Sequence, residues 1–360
     1  GKIIWNRDHQ IMPNGTGLLG STSTQHGILA IPDPGSPNRF YVCTQDAYEN
    51  KFQRGVRYSI VDMRLRGGLG DIVSGSKNIL LTTSRSENMG AVYHANGRDV
   101  WLVIRKNMTT AHPPRSTNPT MIESYLITSN GVQGTPKVTQ VASSGSVLGI
   151  FKFSHDGSFL VEAGSVRTGP GVLDYTHYPS RLHQFDRNTG STHFLMELTD
   201  NKVLDFPYGA EFASDNSKLY LSDIGAQIYQ LDLSSGDPVN IKKSLLHLNP
   251  GRDPGSIGKM ELGPDDKIYI SGIDERSLHV INNPNALGAD CKLEFDQIPL
   301  PLRGNSTKSW SLPAYVRGKE GPPFKLLASD KNPCPGNMIK IYPEHVQEPY
   351  SLSYVLQGDF

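Results

Sequence analysis

The chain has 360 residues, room for one large β domain or two ordinary ones, and its 35 Lys and Arg balance 35 Asp and Glu. With no net field and scattered basic residues, nothing draws it to nucleic acid or into an anionic membrane. There are 36 Gly and 25 Pro, while charged residues make up only 19%. Usual shares are about 7% Gly, 5% Pro and a quarter charged, so the balance speaks for many turns and few helices. No apolar run reaches the roughly 18 residues of a membrane span.

In chain order, "KIIWNRDHQIM" reads as a partial blade. "HGILAIPDPGSPNRFYVCTQ" is a strand, a Pro-Asp-Pro-Gly turn and a strand; "GVRYSIVDMRLRGG" supplies a third strand and "KNILL" a fourth. "GAVYHANGRDVWLVIRK" is a hairpin around Asn96-Gly97, followed by "MIESYLITSNGV" and "PKVTQVA". Then one phrase recurs: "FKFSHDGSFLVEAG" from Phe151, "AEFASDNSKLYLSD" from Ala210 and "KMELGPDDKIYISG" from Lys259. Each is a strand-like run broken by an Asp-containing pair that tolerates positive φ, which two-residue hairpins demand.

A third strand with a polar, Gly-bearing turn follows each copy: "RLHQFDRNTG", "QIYQLDLSSG" and "SLHVINNPNALG". "STHFLMEL" and "VNIKKSLLHL" are fourth strands. A four-strand unit repeating about every 50 residues predicts an all-β fold, a β-propeller of four-stranded blades. Five blades run from about Gln25 to Leu300. Partial blades at the two ends, "KIIWNRDHQIM" and "SWSLPAYV", raise the expected count to six or seven.

The expected organisation is a propeller over residues 1–318, a Pro/Gly-rich linker over 319–333, and the beginning of a sandwich-like repeat over 334–360. The first residue is not Met, which suggests a processed product or a piece of a longer polypeptide. Cys43, in "RFYVCTQ", reads as a buried thiol, whereas Cys291 and Cys334 are candidates for a bridge in an oxidising compartment.

The run of motifs is more telling than any one of them. It comprises Asn6, His9, Met12-Pro13-Asn14-Gly15, Gly17, Leu18 and Gly20, then Ser23-Thr24-Gln25 and the Pro32 to Gly35 turn. Tyr58 to Met63 and Gly67 to Asp71 follow, and "YGAEFASDNSKLYLSD" and "INNPNALGADC" continue it in order. Together they resemble the amino-terminal β-propeller of large surface proteins from Bacteroidetes, over about residues 3 to 316. That resemblance implies an extracellular or cell-surface address, type IX secretion, and roles in adhesion or gliding motility.

Chemistry is sparsely signalled. "GTGLLG", Gly15 to Gly20, fits G-x-G-x-x-G, but "STSTQHG" follows where a dinucleotide site needs a helix. "SHDG" partly matches the structural box of sialidase propellers and lacks its closing Trp. No GxSxG, HExxH or Walker sequence occurs, and the eleven His form no ligand-like pair, so no catalytic residue, metal ligand or cofactor is assigned. Asp46, Glu49, Asp253 and Asp265 can be nominated as a carboxylate pair for glycoside cleavage, with no spacing that selects among them.

The insertion "SVRTGPGVLDYTHYPSR" clusters Tyr175, His177, Tyr178 and Arg181, a composition suited to contact with glycans or proteins, or to packing over its own blade. Tyr48 and Phe52 in "TQDAYENKFQRG" form a second candidate surface. The function expected from these features is a non-enzymatic, secreted cell-surface module of an adhesin-like protein. Its partner would be a surface protein, a glycan or further copies of itself. The alternative is a carbohydrate-active propeller enzyme, a glycoside hydrolase or lyase, with a carboxylate pair near the axis.

Overall fold

Asn216 and Asp266 take φ of +61° and +59°, joining Gly97 at +69° and Gly157 at +76°. These are the turn positions at which the sequence demands positive φ, and each closes the first hairpin of a blade. A computed structural model describes residues 2–21, 23–24, 26–84, 86–107, 120–141, 147–167, 175–177, 180–199, 207–223, 227–251, 256–273, 277–300, 312, 314–319, 326–328 and 341–343.

The first blade orders β1 (Ile28–Asp33), β2 (Ser36–Gln45), β3 (Val56–Asp62) and β4 (Asp71–Ile72), with β5 (Ile79–Thr82) also on β3. The second runs β6 (Met89–Tyr93), β7 (Val100–Asn107), β8 (Thr120–Thr128) and β10 (Lys137–Val141), with β9 (Gly131–Val132) as a short addition to β8. The third runs β11 (Leu148–Phe153), β12 (Phe159–Arg167), β14 (Arg181–Asp186) and β15 (Ser191–Glu197), and β13 (Tyr175–His177) pairs with the far end of β12. The fourth is β16 (Pro207–Phe212), β17 (Lys218–Asp223), β18 (Ile228–Asp232) and β19 (Leu246–His247). The fifth is β20 (Ser256–Leu262), β21 (Ile268–Ile273), β22 (Ser277–Ile281) and β23 (Leu293–Pro299). All blade pairings are antiparallel.

The period of two along each inner strand builds the cores between blades. In β6, Ala91 and Tyr93 turn toward the first blade, beside Leu29, Ile31 and Tyr41, while Val92 turns toward Phe151 and Phe153 of the third. Further clusters join the third blade to the fourth through Ile150, Ala210 and Phe212, and the fourth to the fifth through Tyr220, Ile257 and Met260. Each blade thus buries faces it cannot bury alone.

The blade count is five, and this corrects the expectation of six or seven. Among the described residues, neither chain end adds a blade. The first residues make one bridge, Trp5 to Ile11, and anchor Met12 and Leu18 against Val42, Val61 and Ile72 of the first blade. Residues 316–318 instead run parallel to the inner strand β6: Tyr93 N donates to Arg317 O at 2.7 Å and Arg317 N to Ala91 O at 3.2 Å. An inner strand has unpaired backbone groups on its axial edge, and this segment satisfies them without starting a new sheet.

"VNIKKSLLHL" is also not a single strand. It divides into α1 (Pro238–Lys243) and the two residues of β19. Asp237 caps the helix by accepting from Asn240 N at 2.9 Å, and Pro238 stands at its first position. Asp-Pro is a helix-start signal that the strand reading overlooked. Cys43 is a buried free thiol whose pKa burial pushes up to about 12, and Cys291 is also a buried free thiol. Cys334 lies outside the described residues.

Two units divide the chain, Gly1–Lys319 and Glu320–Phe360. In the second, β24 (Leu326–Ala328) pairs antiparallel with β25 (Ile341–Pro343), and β24 falls within the stretch expected to be linker.

Candidate functional site

The repeated phrase puts a charged residue between two apolar ones on three inner strands: Phe151-Lys152-Phe153 in β11, Ala210-Glu211-Phe212 in β16 and Met260-Glu261-Leu262 in β20. The apolar neighbours fill the cores between blades, and all three charged side chains are buried. Buried charges survive only when paired. Lys152 Nζ lies 2.5 Å from Glu211 and 2.8 Å from Glu261. Arg317, carried in along β6, spans the same two carboxylates at 3.0 and 2.8 Å. Lys259 Nζ adds a contact to Glu261 at 3.1 Å and donates to Leu312 O at 2.8 Å.

Glu211 also accepts from Phe212 N at 2.9 Å and Leu262 N at 2.8 Å. One carboxylate therefore ties together the inner strands of the third, fourth and fifth blades and the 316–318 segment. Burial alone would raise the Glu261 carboxyl. Lys152, Lys259 and Arg317 outweigh burial and hold it down to about 2. Burial lowers Lys259 to about 8 against the pull of Glu261. The cluster contains three cations, Lys152, Lys259 and Arg317, against two carboxylates, so one positive charge is uncompensated within it.

A small, partly open cleft lies beside this cluster, lined by His26, Lys152, Tyr315 and Arg317 over Phe151 and Phe153. His26 stands just before β1, and only 3% of its surface is exposed. Its Nδ1 lies 3.1 Å from Met89 O. A carbonyl can only accept, so this contact puts the imidazole proton on Nδ1 and leaves a lone pair on Nε2. Among the described residues Nε2 has no hydrogen-bond partner, nor has Nε of Arg317. Burial, reinforced by the charges of Lys259 and Lys152, pulls His26 well below the usual imidazole range, so at neutral pH the ring is an uncharged base. Tyr315, half-exposed, stands at the mouth.

The described residues singled out from sequence are not among those that line this cleft. Tyr48 and Phe52 are buried, edge to face at 6.2 Å, and pack with Val147. Tyr175 and His177 belong to β13, opposite Arg167 and Ser165 of β12. Tyr178 lies outside the described residues. Arg181 is buried at the start of β14, opposite Glu162 and 3.6 Å from Glu197.

The three nominated carboxylates among the described residues accept structural hydrogen bonds. Asp46 accepts from Asn50 Nδ2 at 2.8 Å and Arg54 N at 2.9 Å. Glu49 accepts from Ser23 Oγ at 3.0 Å, and Asp265 from the Tyr269 hydroxyl at 2.7 Å. Asp253 lies outside the described residues. Sequence reasoning missed the axial cluster, although its signal was present: a charge at one fixed position of a repeated strand, flanked on both sides by core residues.

No family model matches the chain, and neither does any curated protein. Among solved structures it is similar to the periplasmic gluconolactonase PpgL of Pseudomonas aeruginosa, at 13% identity and a TM-score of 0.43, over 76% of this chain and 71% of that one. A putative 6-phosphogluconolactonase from Bacteroides uniformis matches at 10% identity and 0.42, over 81% and 93%. A luciferin-regenerating enzyme matches at 13% and 0.39, over 81% of each chain. The chain is a five-bladed β-propeller. All three of these solved propellers are described as enzymes, and with that finding the expectation of a non-enzymatic adhesin module is withdrawn.

Proposed function

We propose that the chain is a carbohydrate-active propeller enzyme whose reaction centre is the axial cleft and whose base is His26. One observation carries the reading: a neutral imidazole, its tautomer set by Met89 O and its Nε2 without a hydrogen-bond partner among the described residues, lines a cleft shared with Lys152, Tyr315 and Arg317. A base is most effective when its protonation state and position are fixed before substrate arrives.

Hydrolysis by a carboxylate pair is the weaker reading of the same cleft. One carboxyl of such a pair must be protonated to act as the acid. Glu261 is held ionised down to about 2, and Glu211 is fully occupied by Lys152, Arg317 and two backbone N–H groups.

The extracellular or cell-surface address implied by the motifs from Asn6 to Asp71 is part of this proposal, with a glycan as the partner met there. Fractionating the source cells tests the address. For the activity, the protein is incubated with a panel of neutral and acidic polysaccharides, and new chain ends are counted. Cleavage of a panel member supports the reading, whereas retention of glycans with no cleavage across the panel overturns it.

A further inference from the structure

We infer that the substrate of the axial cleft carries a carboxylate, and that the chain cleaves an acidic polysaccharide by β-elimination, with His26 taking a proton and Tyr315 donating one. This rests on the cleft being the reaction centre.

Lys152, Lys259 and Arg317 outnumber Glu211 and Glu261 by one, and both Lys152 and Arg317 line the cleft. Arg317 Nε has no hydrogen-bond partner among the described residues. A cluster with one positive charge in excess, lining a cleft with a guanidinium that has a spare donor, suits an anion, and a planar guanidinium suits a carboxylate in particular. A neutral sugar would leave that charge unanswered.

The chemistry follows from the same contact. Once a cation neutralises a sugar carboxylate, the C–H on the adjacent carbon is acidified, and His26 Nε2 removes its proton. The electron pair of that C–H bond becomes a carbon–carbon double bond, and the C–O bond at the next carbon breaks. The departing sugar oxygen takes the phenolic proton of Tyr315, which is then restored from the His26 imidazolium through solvent. Atoms and electrons balance with no water consumed and no oxidant or reductant. This route needs no protonated carboxyl, and the cluster offers none at Glu261.

The test uses tetramers of galacturonate, glucuronate and mannuronate, each beside its carboxyl-reduced counterpart. Calorimetry reads binding, and ultraviolet absorbance reads the conjugated double bond that elimination leaves. At least one acidic tetramer should bind about tenfold or more tighter than its reduced form, which corresponds to about 1.4 kcal/mol, and should yield the absorbing product. Tyr315→Phe, at a half-exposed position, should fold and keep KM while kcat falls about a hundredfold.

Equal binding of acidic and reduced tetramers, or new chain ends without the double bond, overturns the carboxylate inference. If cleavage still depends on His26 in that case, the reading of the cleft as reaction centre stands. Unchanged kcat in Tyr315→Phe overturns the proton-donor role. Absence of cleavage on every substrate overturns both readings.

Discussion

Arg317 Nη2 lies 3.0 Å from Glu211 Oε2, joining residues 106 positions apart in the chain. The contact brings the end of the propeller chain to the inner strand of its fourth blade, and the same nitrogen reaches Glu261 at 2.8 Å. Arg187 supports the arrangement by donating to Tyr93 O and Asp156 O, both at 2.9 Å, and to Gly318 O.

Breaking that contact from one side takes a guanidinium hydrogen bond from each of two buried carboxylates. Arg317→Met should therefore destabilise the fold by about 3 kcal/mol. Urea unfolding at neutral pH measures it, and a loss under about 1 kcal/mol would mean that the segment does not hold the axis together.

Glu87 offers a pH test away from the cleft. Burial raises its carboxyl to about 8, against the hydrogen bond from Tyr48 N and with help from Glu49 and Asp46. The folded chain keeps this proton up to about 8, whereas the unfolded chain sheds it near the ordinary carboxyl value of 4.5. The contribution is fully present below about 4.5 and is lost as pH rises to about 8, a change on the order of 5 kcal/mol. Glu87→Gln should flatten that slope and be the more stable form at pH 8. Parallel pH–stability curves for the two proteins would contradict it.

Gly157 and Gly97 share a left-handed backbone but not their surroundings. A Cβ on Gly157 (φ +76°) would come within 2.5 Å of Val92 Cγ2, whereas one on Gly97 (φ +69°) meets nothing within 4 Å. Gly97→Ala should cost about 1 kcal/mol from backbone strain alone, and Gly157→Ala clearly more, about 2 kcal/mol or above. Thermal unfolding compares them, and equal losses would show that the close approach to Val92 carries no energy.

Removing the helix cap with Asp237→Ala should cost about 1 kcal/mol. Its exposed side chain makes the capping bond to Asn240 N, so chemical denaturation of the variant reads mainly that bond. An unchanged midpoint would remove α1 as a stabilising element of the fourth blade.

Much of the fold is legible in the sequence because hairpin chemistry is local. Asp265-Asp266 and Asp215-Asn216 announce positive φ within a few residues, and the strands on either side alternate accordingly. The blade count is not local. It depends on whether the chain ends pair into a sheet, and Arg317 turns one of them along β6 through an ion pair whose partners lie 56 and 106 residues away. The site was hidden for a related reason. Aromatic and Arg-rich loops attract attention as surfaces, yet Tyr48, Phe52 and Arg181 are buried. His26 carries no motif, and its significance rests on a carbonyl at Met89 that only folding brings to its Nδ1.

The most direct test of the account is kcat/KM of the wild type and His26→Gln on the best substrate of the polysaccharide panel, with thermal midpoints measured alongside. Loss of a positioned base predicts a fall of about 10²- to 10⁴-fold with the midpoint shifted by no more than a few degrees. Unchanged kcat/KM in a folded His26→Gln protein would contradict the assignment of the axial cleft as the reaction centre.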